Sequence, residues 1–177
     1  MDKIFPRVYW DACAWISFIQ KEMPGGVSSF SEPRYDLCRA TIRRAEEKKI
    51  EIVTSAYTLA EVCKRRGNAS NPGVNIPAFF DHPYILLVNV DKEIGLKAQA
   101  MQLSGVSISP QDATHIATAL IANVPTFHTF DGKLIKLDNN LVLKDGRNLR
   151  IMHPESELPL PPLLQEIQAS VEADPQV

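Results

Sequence analysis

One stretch decides the fold of this chain, VYWDACAWISFIQK at residues 8–21. Its first three residues are apolar and predict a short β-strand, and the run from Ala12 to Lys21 predicts a helix that follows at once. Asp11 stands between the two, at the end of the strand. A strand that passes directly into a helix is typical of parallel sheets that are covered by helices.

The same alternation of strand and helix continues along the chain. Helical spacing and capping residues predict further helices at about residues 35–49, 55–66, 91–103 and 109–122. Strands are predicted at 50–54, 84–90 and 126–130, and the apolar 84–90 strand is expected to be buried on both faces of the sheet. Segments 141–143 and 149–152 flank Asp145-Gly146 and predict a hairpin or a returning strand. We therefore predict an α/β fold with three layers, α/β/α, around a central, mostly parallel sheet.

Composition and charge indicate one ordinary globular domain. The 177 residues are 45% apolar and carry a formal net charge of −2, which argues against a strongly basic nucleic-acid coat but not against a local basic patch. No run approaches the roughly 20 apolar residues that span a bilayer, and no signal peptide is visible, so we expect a cytoplasmic protein without a membrane partner. The three cysteines are far apart and form no zinc or disulfide pattern.

Four acidic residues interrupt apolar or helix-forming segments, each at the end of a predicted strand or on a predicted helix: Asp11, Glu61, Asp112 and Asp131. Buried carboxylates are costly unless they are paired or bind a metal. Oxygen ligands are preferred by hard divalent cations such as Mg²⁺ and Mn²⁺. Ligands of parallel sheets bind at the carboxyl ends of the strands, so the four acids predict a shared metal site there.

Each acid also has a local structural explanation. The segment SPQD at residues 109–112 has the pattern of a capping box at the start of a helix. Glu61 is expected in the middle of a helix that Ser55 caps, where a solvated glutamate is an ordinary finding. Asp11 is also explained as a helix N-cap, and Asp131 as a turn residue.

Four segments in this order resemble PIN domains: VYWD at 8–11, SAYTLAEV at 55–62, QDATHIATA at 111–119 and HTFD at 128–131. The resemblance extends over about residues 7–152 and is strongest to ribonuclease toxins of the VapC type. It implies a PIN-like nuclease domain at residues 1–153, followed by a proline-rich tail at 154–177 with a short amphipathic helix. Many PIN domains have a further acidic or polar residue shortly after the last aspartate, whereas this chain has GKLI at 132–135, which leaves the number of metal ions open.

The resemblance implies a metal-dependent endoribonuclease in which Asp11, Glu61, Asp112 and Asp131 are the catalytic and metal-binding residues. The metal is Mg²⁺ or Mn²⁺, and RNA is the substrate. It also implies an antitoxin partner, which would dock on the apolar surface of the first two helices, and a homodimer. Further residues are predicted to contact RNA or to orient the carboxylates: Lys64, Arg65, Arg66, His115 and Thr129.

Other interpretations of these residues remain open. The basic residues are also explained as solvated helix surface, His115 as a half-buried structural histidine, and Thr129 by its β propensity. A non-catalytic interaction module of the same fold would also contain these segments. A phosphoacceptor signalling domain fits less well, because only Asp2 precedes Asp11 and no lysine ends the 126–130 strand.

Overall fold

The computed structural model describes residues 5–22, 34–62 and 75–155. Five strands in these ranges form one sheet, in the spatial order β3-β2-β1-β4-β5. The strands are β1 (Arg7–Trp10), β2 (Glu51–Ser55), β3 (Ile85–Val88), β4 (Thr126–His128) and β5 (Arg150–Met152). Every pair of neighbouring strands is parallel, which confirms the predicted α/β class.

Helices connect the strands and cover both faces of the sheet. They are α1 (Ala12–Glu22), α2 (Arg34–Glu46), α3 (Thr58–Val62), α4 (Lys92–Leu103), α5 (Pro110–Ile121) and α6 (Gly132–Ile135), with a 3₁₀ turn at Ile76–Phe80. Val8 and Trp10 of β1 pack into the cluster formed with α1 and α2. Tyr9, between them, packs into the opposite cluster with α5. Successive side chains of a strand point to opposite faces, so this alternation produces the predicted three layers.

Aromatic packing joins α1 to the centre of the sheet. The side chains of Trp10 and Trp15 are fully buried, and their rings meet edge to face with centroids 4.9 Å apart. Phe18 continues the contact one turn further along α1, 6.4 Å from the ring of Trp10. Such rings bury large apolar areas in a defined geometry, so they fix α1, and with it the residue before α1, against the end of β1.

The predicted cap of the Glu61 helix is wrong. Ser55 is the last residue of β2, and α3 begins only at Thr58. The ladder to β3 continues past Ser55, because the amide of Ala56 donates to the carbonyl of Val88. The Ser55 hydroxyl instead accepts from the amide of Tyr57 and stabilises the turn before α3.

Of two further predictions, the burial of the 84–90 strand is wrong and the hairpin or returning strand around Asp145-Gly146 is confirmed. The 84–90 strand is shorter and lies at one edge of the sheet, so it is not buried on both faces, and Leu87 remains 40% exposed. The segments on either side of Asp145-Gly146 form a short hairpin, because the amide of Leu143 donates to the carbonyl of Arg147 and that of Leu149 to the carbonyl of Leu141. Val142 and Asn148 form its antiparallel bridge. Residues 150–152 then pair in parallel with β4.

Some predictions fall on residues outside the described ranges. These are the basic triplet Lys64, Arg65 and Arg66, and the tail from residue 156 onward. The division at residue 153 therefore stays a prediction. Within the three described ranges, no helix has the length and hydropathy needed to cross a membrane.

Candidate active site

The topology of the sheet gathers acidic residues at its carboxyl edge. Asp11 directly follows the central strand β1, and Asp131 comes shortly after the neighbouring strand β4. Glu61 lies on α3, which follows the other neighbour, β2, and Asp112 lies in the first turn of α5. Strand ends at this edge lie side by side, so residues distant in sequence come together.

Asp11 is the most deeply buried of the four acids, at 3% exposure. Its Oδ1 atom accepts a hydrogen bond from the amide of Ala14, 3.0 Å away, and its carboxylate also accepts from the hydroxyl of Thr129. The pKa of Asp11 is raised to about 6, mainly by burial and to a smaller extent by the negative charge of Asp112, while the hydrogen bonds from Thr129 and Ala14 and the charge of His115 act in the opposite direction. Asp11 is therefore both a helix cap and a carboxylate whose charge is poorly compensated.

Cys13 shows that the four acidic charges converge. Its side chain is exposed at the surface, yet it is surrounded closely enough by protein that desolvation raises the pKa of its thiol to about 12. Four negative charges act in the same direction, in decreasing order Asp11, Asp131, Asp112 and Glu61. Because charge effects fall off with distance, one side chain that responds to all four indicates that the acids surround a common region.

Glu61 is held by a chain of buried hydrogen bonds. Its Oε2 atom lies 2.6 Å from Nε2 of His115, which is only 2% exposed. Nδ1 of the same ring lies 2.9 Å from the hydroxyl of Tyr9, and this hydroxyl accepts from the amide of Ser55 at 3.1 Å. A carboxylate can only accept, so Nε2 of His115 donates to Glu61. In a neutral ring Nδ1 is then the acceptor, and the Tyr9 hydroxyl donates to it.

Two buried threonines tie the start of α3 to the end of β1. The hydroxyl of Thr54 donates to the carbonyl of Trp10 at 2.8 Å. Since that uses its only proton, Thr54 accepts the hydrogen bond that joins it to the Thr58 hydroxyl, also at 2.8 Å. These two hydrogen bonds fix the first turn of α3 next to the end of β1, where Asp11 follows. Glu61, on the same helix, therefore also lies at the carboxyl edge of the sheet.

Asp112 and Asp131 both serve as local caps, which was predicted for Asp112, whereas Asp131 was predicted to be a turn residue. Ser109 and Asp112 form a complete capping box, with 2.6 Å between the Ser109 hydroxyl and Oδ2 of Asp112. Oδ1 of Asp131 accepts from the amide of Lys133 at 2.7 Å and caps α6. Capping satisfies helix donors that otherwise lack a partner, so both carboxylates have a structural role whether or not they bind a ligand.

The donor chemistry of the four acids fits a hard divalent cation, but their side-chain positions fit it only in part. Among residues 5–22, 34–62 and 75–155, no three His, Cys, Asp or Glu side chains lie close enough together to hold a metal ion. Within the same ranges, the hydrogen bonds of Asp112, Asp131 and Glu61 use one carboxylate oxygen each. A cation held by the acids would offset the charge that burial makes unfavourable at Asp11.

His115 and Thr129, which we predicted to contact RNA or to orient carboxylates, are both buried against the acids. His115 contacts Glu61, while the Thr129 hydroxyl contacts Asp11 and accepts from the amide of Asp131 at 2.9 Å. This geometry favours the orienting role, and contact with RNA stays a prediction. Tyr9 was not predicted as part of the site, because a tyrosine in an apolar strand carries no signal beyond core packing.

Comparison with known proteins agrees with this arrangement. The family model described as the PIN domain matches residues 8–140. Among solved structures, VapC20 of Mycobacterium tuberculosis, described as a toxin that cleaves the sarcin-ricin loop, has a similar fold, with a TM-score of 0.54 and 16% sequence identity over 71% of this chain and 90% of that one. No curated protein matches the sequence. With the parallel sheet and the acids at its carboxyl edge, the match over most of the chain shows that this protein belongs to the PIN domain family.

Proposed function

We propose that this PIN protein is a metal-dependent endoribonuclease that hydrolyses RNA phosphodiester bonds, with a catalytic and metal-binding set formed by Asp11, Glu61, Asp112 and Asp131. The observation that supports this most is that Asp11, Glu61, Asp112 and Asp131 follow β1, β2 and β4 or begin α5, at the edge where parallel sheets bind ligands. The charges of all four raise the pKa of the nearby Cys13 thiol, after the larger effect of burial. Carboxylates alone would repel an RNA phosphate, so the arrangement needs a cation to act on such a substrate.

Each part of the chain has a separate task in this proposal. A bound Mg²⁺ or Mn²⁺ ion would supply charge neutralisation at the phosphate and activation of the attacking water. Asp11 would be one of its ligands, because the end of β1 and the Ala14 amide fix the position of its carboxylate. His115 holds one oxygen of Glu61, so the other oxygen would be available to bind the ion.

We further propose that the protein is the toxin of a toxin–antitoxin pair, acting in the cytoplasm and masked by a small antitoxin that covers the first two helices. The support is the fold it shares with VapC20, which is described as a toxin. A homodimer is proposed on the same ground. Inducing the gene without any neighbouring gene should arrest growth, and the Asp112→Asn form should not. Unchanged growth with the natural sequence would remove the toxin role but not the nuclease.

The direct test is cleavage of a mixed RNA pool by the purified chain with Mg²⁺, Mn²⁺ or EDTA. We expect cleavage only with metal, and a loss of roughly 100-fold or more in Asp112→Asn. Asp81→Asn, which changes an exposed acid away from the site, is the matched control and should cleave normally. Cleavage that persists in EDTA or in Asp112→Asn would contradict the proposed site.

A second candidate function is a non-catalytic interaction module of the PIN fold. It is favoured by the capping roles of Asp112 and Asp131, which explain these two acids without any ligand. Thermal unfolding with added Mn²⁺ separates the two candidates, because an ion that binds only the folded state raises the melting temperature. The nuclease should show this rise and Asp11→Asn should not, whereas a module without a metal site should show none in either form.

A further inference from the structure

A cationic side chain and an imidazole meet on one aromatic ring at the edge of the candidate site. The guanidinium carbon of Arg34 lies 4.9 Å from the ring centroid of Phe130. The ring of His153 stacks on the same phenyl group, with centroids 5.4 Å apart and planes 26° from parallel. Phe130 itself is buried and directly precedes Asp131. The ring therefore holds two nitrogen-bearing side chains next to a residue of the acidic set.

His153 is hydrogen-bonded to Thr129, the residue that also contacts Asp11 and Asp131. Nδ1 of His153 lies 3.0 Å from the carbonyl oxygen of Thr129, whose hydroxyl contacts Asp11. A carbonyl can only accept, so the proton of a neutral ring is on Nδ1, and Nε2 is the acceptor nitrogen. Since the His153 side chain is exposed, this acceptor is available to a ligand at the carboxyl edge.

The charge of Arg34 also reaches this edge. The buried thiol of Cys38 has a raised pKa, caused first by desolvation and then by the charge of Asp11, and the charge of Arg34 acts against both. The charges of Asp11 and Arg34 thus both act on the Cys38 thiol. Arg34 is the first residue of α2 and lies on the ring of Phe130, so its charge is next to the residue that precedes Asp131.

We propose that Arg34 and His153 form a substrate-binding rim for single-stranded RNA, in which Arg34 binds a backbone phosphate and His153 accepts a hydrogen bond from a ribose 2′-hydroxyl. The rim rests on the proposed ribonuclease function and names how that site holds its substrate. A planar guanidinium fits two phosphate oxygens at once, and its charge offsets the repulsion between the strand and the carboxylates. The 2′-hydroxyl is the group that distinguishes RNA from DNA at a given contact.

The test measures binding of two labelled probes, a single-stranded RNA of mixed sequence and the DNA of the same sequence, to the full chain. All forms carry Asp112→Asn and are measured with Mg²⁺, so that cleavage does not interfere. Arg34→Gln should weaken binding of both probes roughly tenfold and lower the slope of log affinity against log salt by about 0.7. Arg34→Lys should preserve the slope, because the charge remains.

His153→Phe keeps an aromatic ring on Phe130 but removes both nitrogens. It should weaken RNA binding several-fold and leave DNA binding unchanged, so the RNA preference falls. The control is Arg43→Gln, an exposed arginine near the opposite end of α2, which should change neither affinity nor slope. If Arg34→Gln does not fold, as judged by thermal unfolding, His153→Phe and Arg34→Lys carry the test alone.

Failure of the rim and failure of the nuclease give different results. The first result is that the chain with its natural Asp112 cleaves RNA, but the Arg34 and His153 variants bind both probes with the same affinity as Arg43→Gln. In that case the rim is wrong and the ribonuclease proposal stands. If the natural chain neither cleaves RNA nor binds it more tightly than DNA, both proposals fall.

Discussion

Asp11 shows at the scale of one residue how stability and function oppose each other in this site. It is nearly inaccessible to water, and burial raises the pKa of its carboxyl from 3.8 to about 6. Two hydrogen bonds, from the Ala14 amide and the Thr129 hydroxyl, reduce this cost without removing it. At neutral pH the protein therefore keeps an unfavourable charge at the end of its central strand, which is expected where a cation or a reaction needs that charge.

Replacing Asp11 by asparagine should stabilise the metal-free protein. Between pH 3.8 and about 6 the folded state binds more protons at Asp11 than the unfolded state does, so the free energy of unfolding falls as pH rises through this window. Asp11→Asn should therefore gain about 1–3 kcal/mol at pH 7 in EDTA, and the gain should shrink below pH 4. Urea unfolding at several pH values measures it, with exposed Asp81→Asn as control. A loss of stability at pH 7 would show that the Asp11 charge is well compensated.

Tyr9 acts through His115 on Glu61, so Tyr9→Phe tests the buried hydrogen-bond chain. The substitution removes one hydroxyl, which leaves the Ser55 amide and Nδ1 of His115 without this hydrogen-bond partner. We expect a loss of about 1–3 kcal/mol in stability and a 10–100-fold loss in metal affinity or cleavage.

The control for this change is Tyr84→Phe, at a half-buried tyrosine on the edge of the sheet, which should affect neither quantity strongly. The ¹⁵N signals of the His115 ring give an independent readout, with the proton on Nε2 in the natural chain. A proton on Nδ1 would contradict the chain of donors described here.

Helix α5 shows how one element supplies both fold and site. Its first turn contains Pro110 and a complete capping box between Ser109 and Asp112, so the local sequence is sufficient to start the helix. One turn later, His115 lies on the buried face and reaches Glu61. Residues three apart on a helix are neighbours, so the cap, the acid and the histidine share one end of α5.

Removal of the cap should weaken α5 without abolishing the site. Ser109→Ala loses the hydrogen bond from the Asp112 amide and the short contact to the Asp112 carboxylate. We expect the free energy of unfolding to fall by about 1 kcal/mol, as for other N-caps. Ser107→Ala, two residues earlier and exposed, should stay within about 0.5 kcal/mol of the natural chain. Equal effects of the two substitutions in chemical denaturation would mean that the capping box contributes no stability.

At the scale of the whole molecule, the sheet extends beyond the family match. The PIN model ends at residue 140, whereas β5 is formed by Arg150–Met152 and closes one edge of the sheet. Leu143, Leu149 and Ile151 are buried in the cluster that contains Tyr9 and Phe127. The last strand is thus part of the core that supports the site.

Two truncations test where the folded unit ends. A chain that stops at residue 140 loses three buried apolar residues and one strand, each residue worth roughly 1.5–3 kcal/mol, so it should not fold cooperatively. A chain that stops at residue 155 keeps every described strand and should unfold within a few degrees of the full chain. Circular dichroism during heating measures both. Cooperative unfolding of the shorter chain would place β5 outside the essential core.

The sequence by itself determined the features that depend on neighbouring residues. The alternation of strand and helix, the helix cap at Ser109 and the position of Asp11 at a strand end all follow from local patterns. Only the tertiary structure decided that β3 is an edge strand and that β5 runs parallel to β4. It also joined His115 to Glu61 across 54 residues and brought Arg34 to Phe130. Such contacts depend on how helices pack across the sheet, and a pattern of neighbouring residues does not specify which distant side chain will lie opposite.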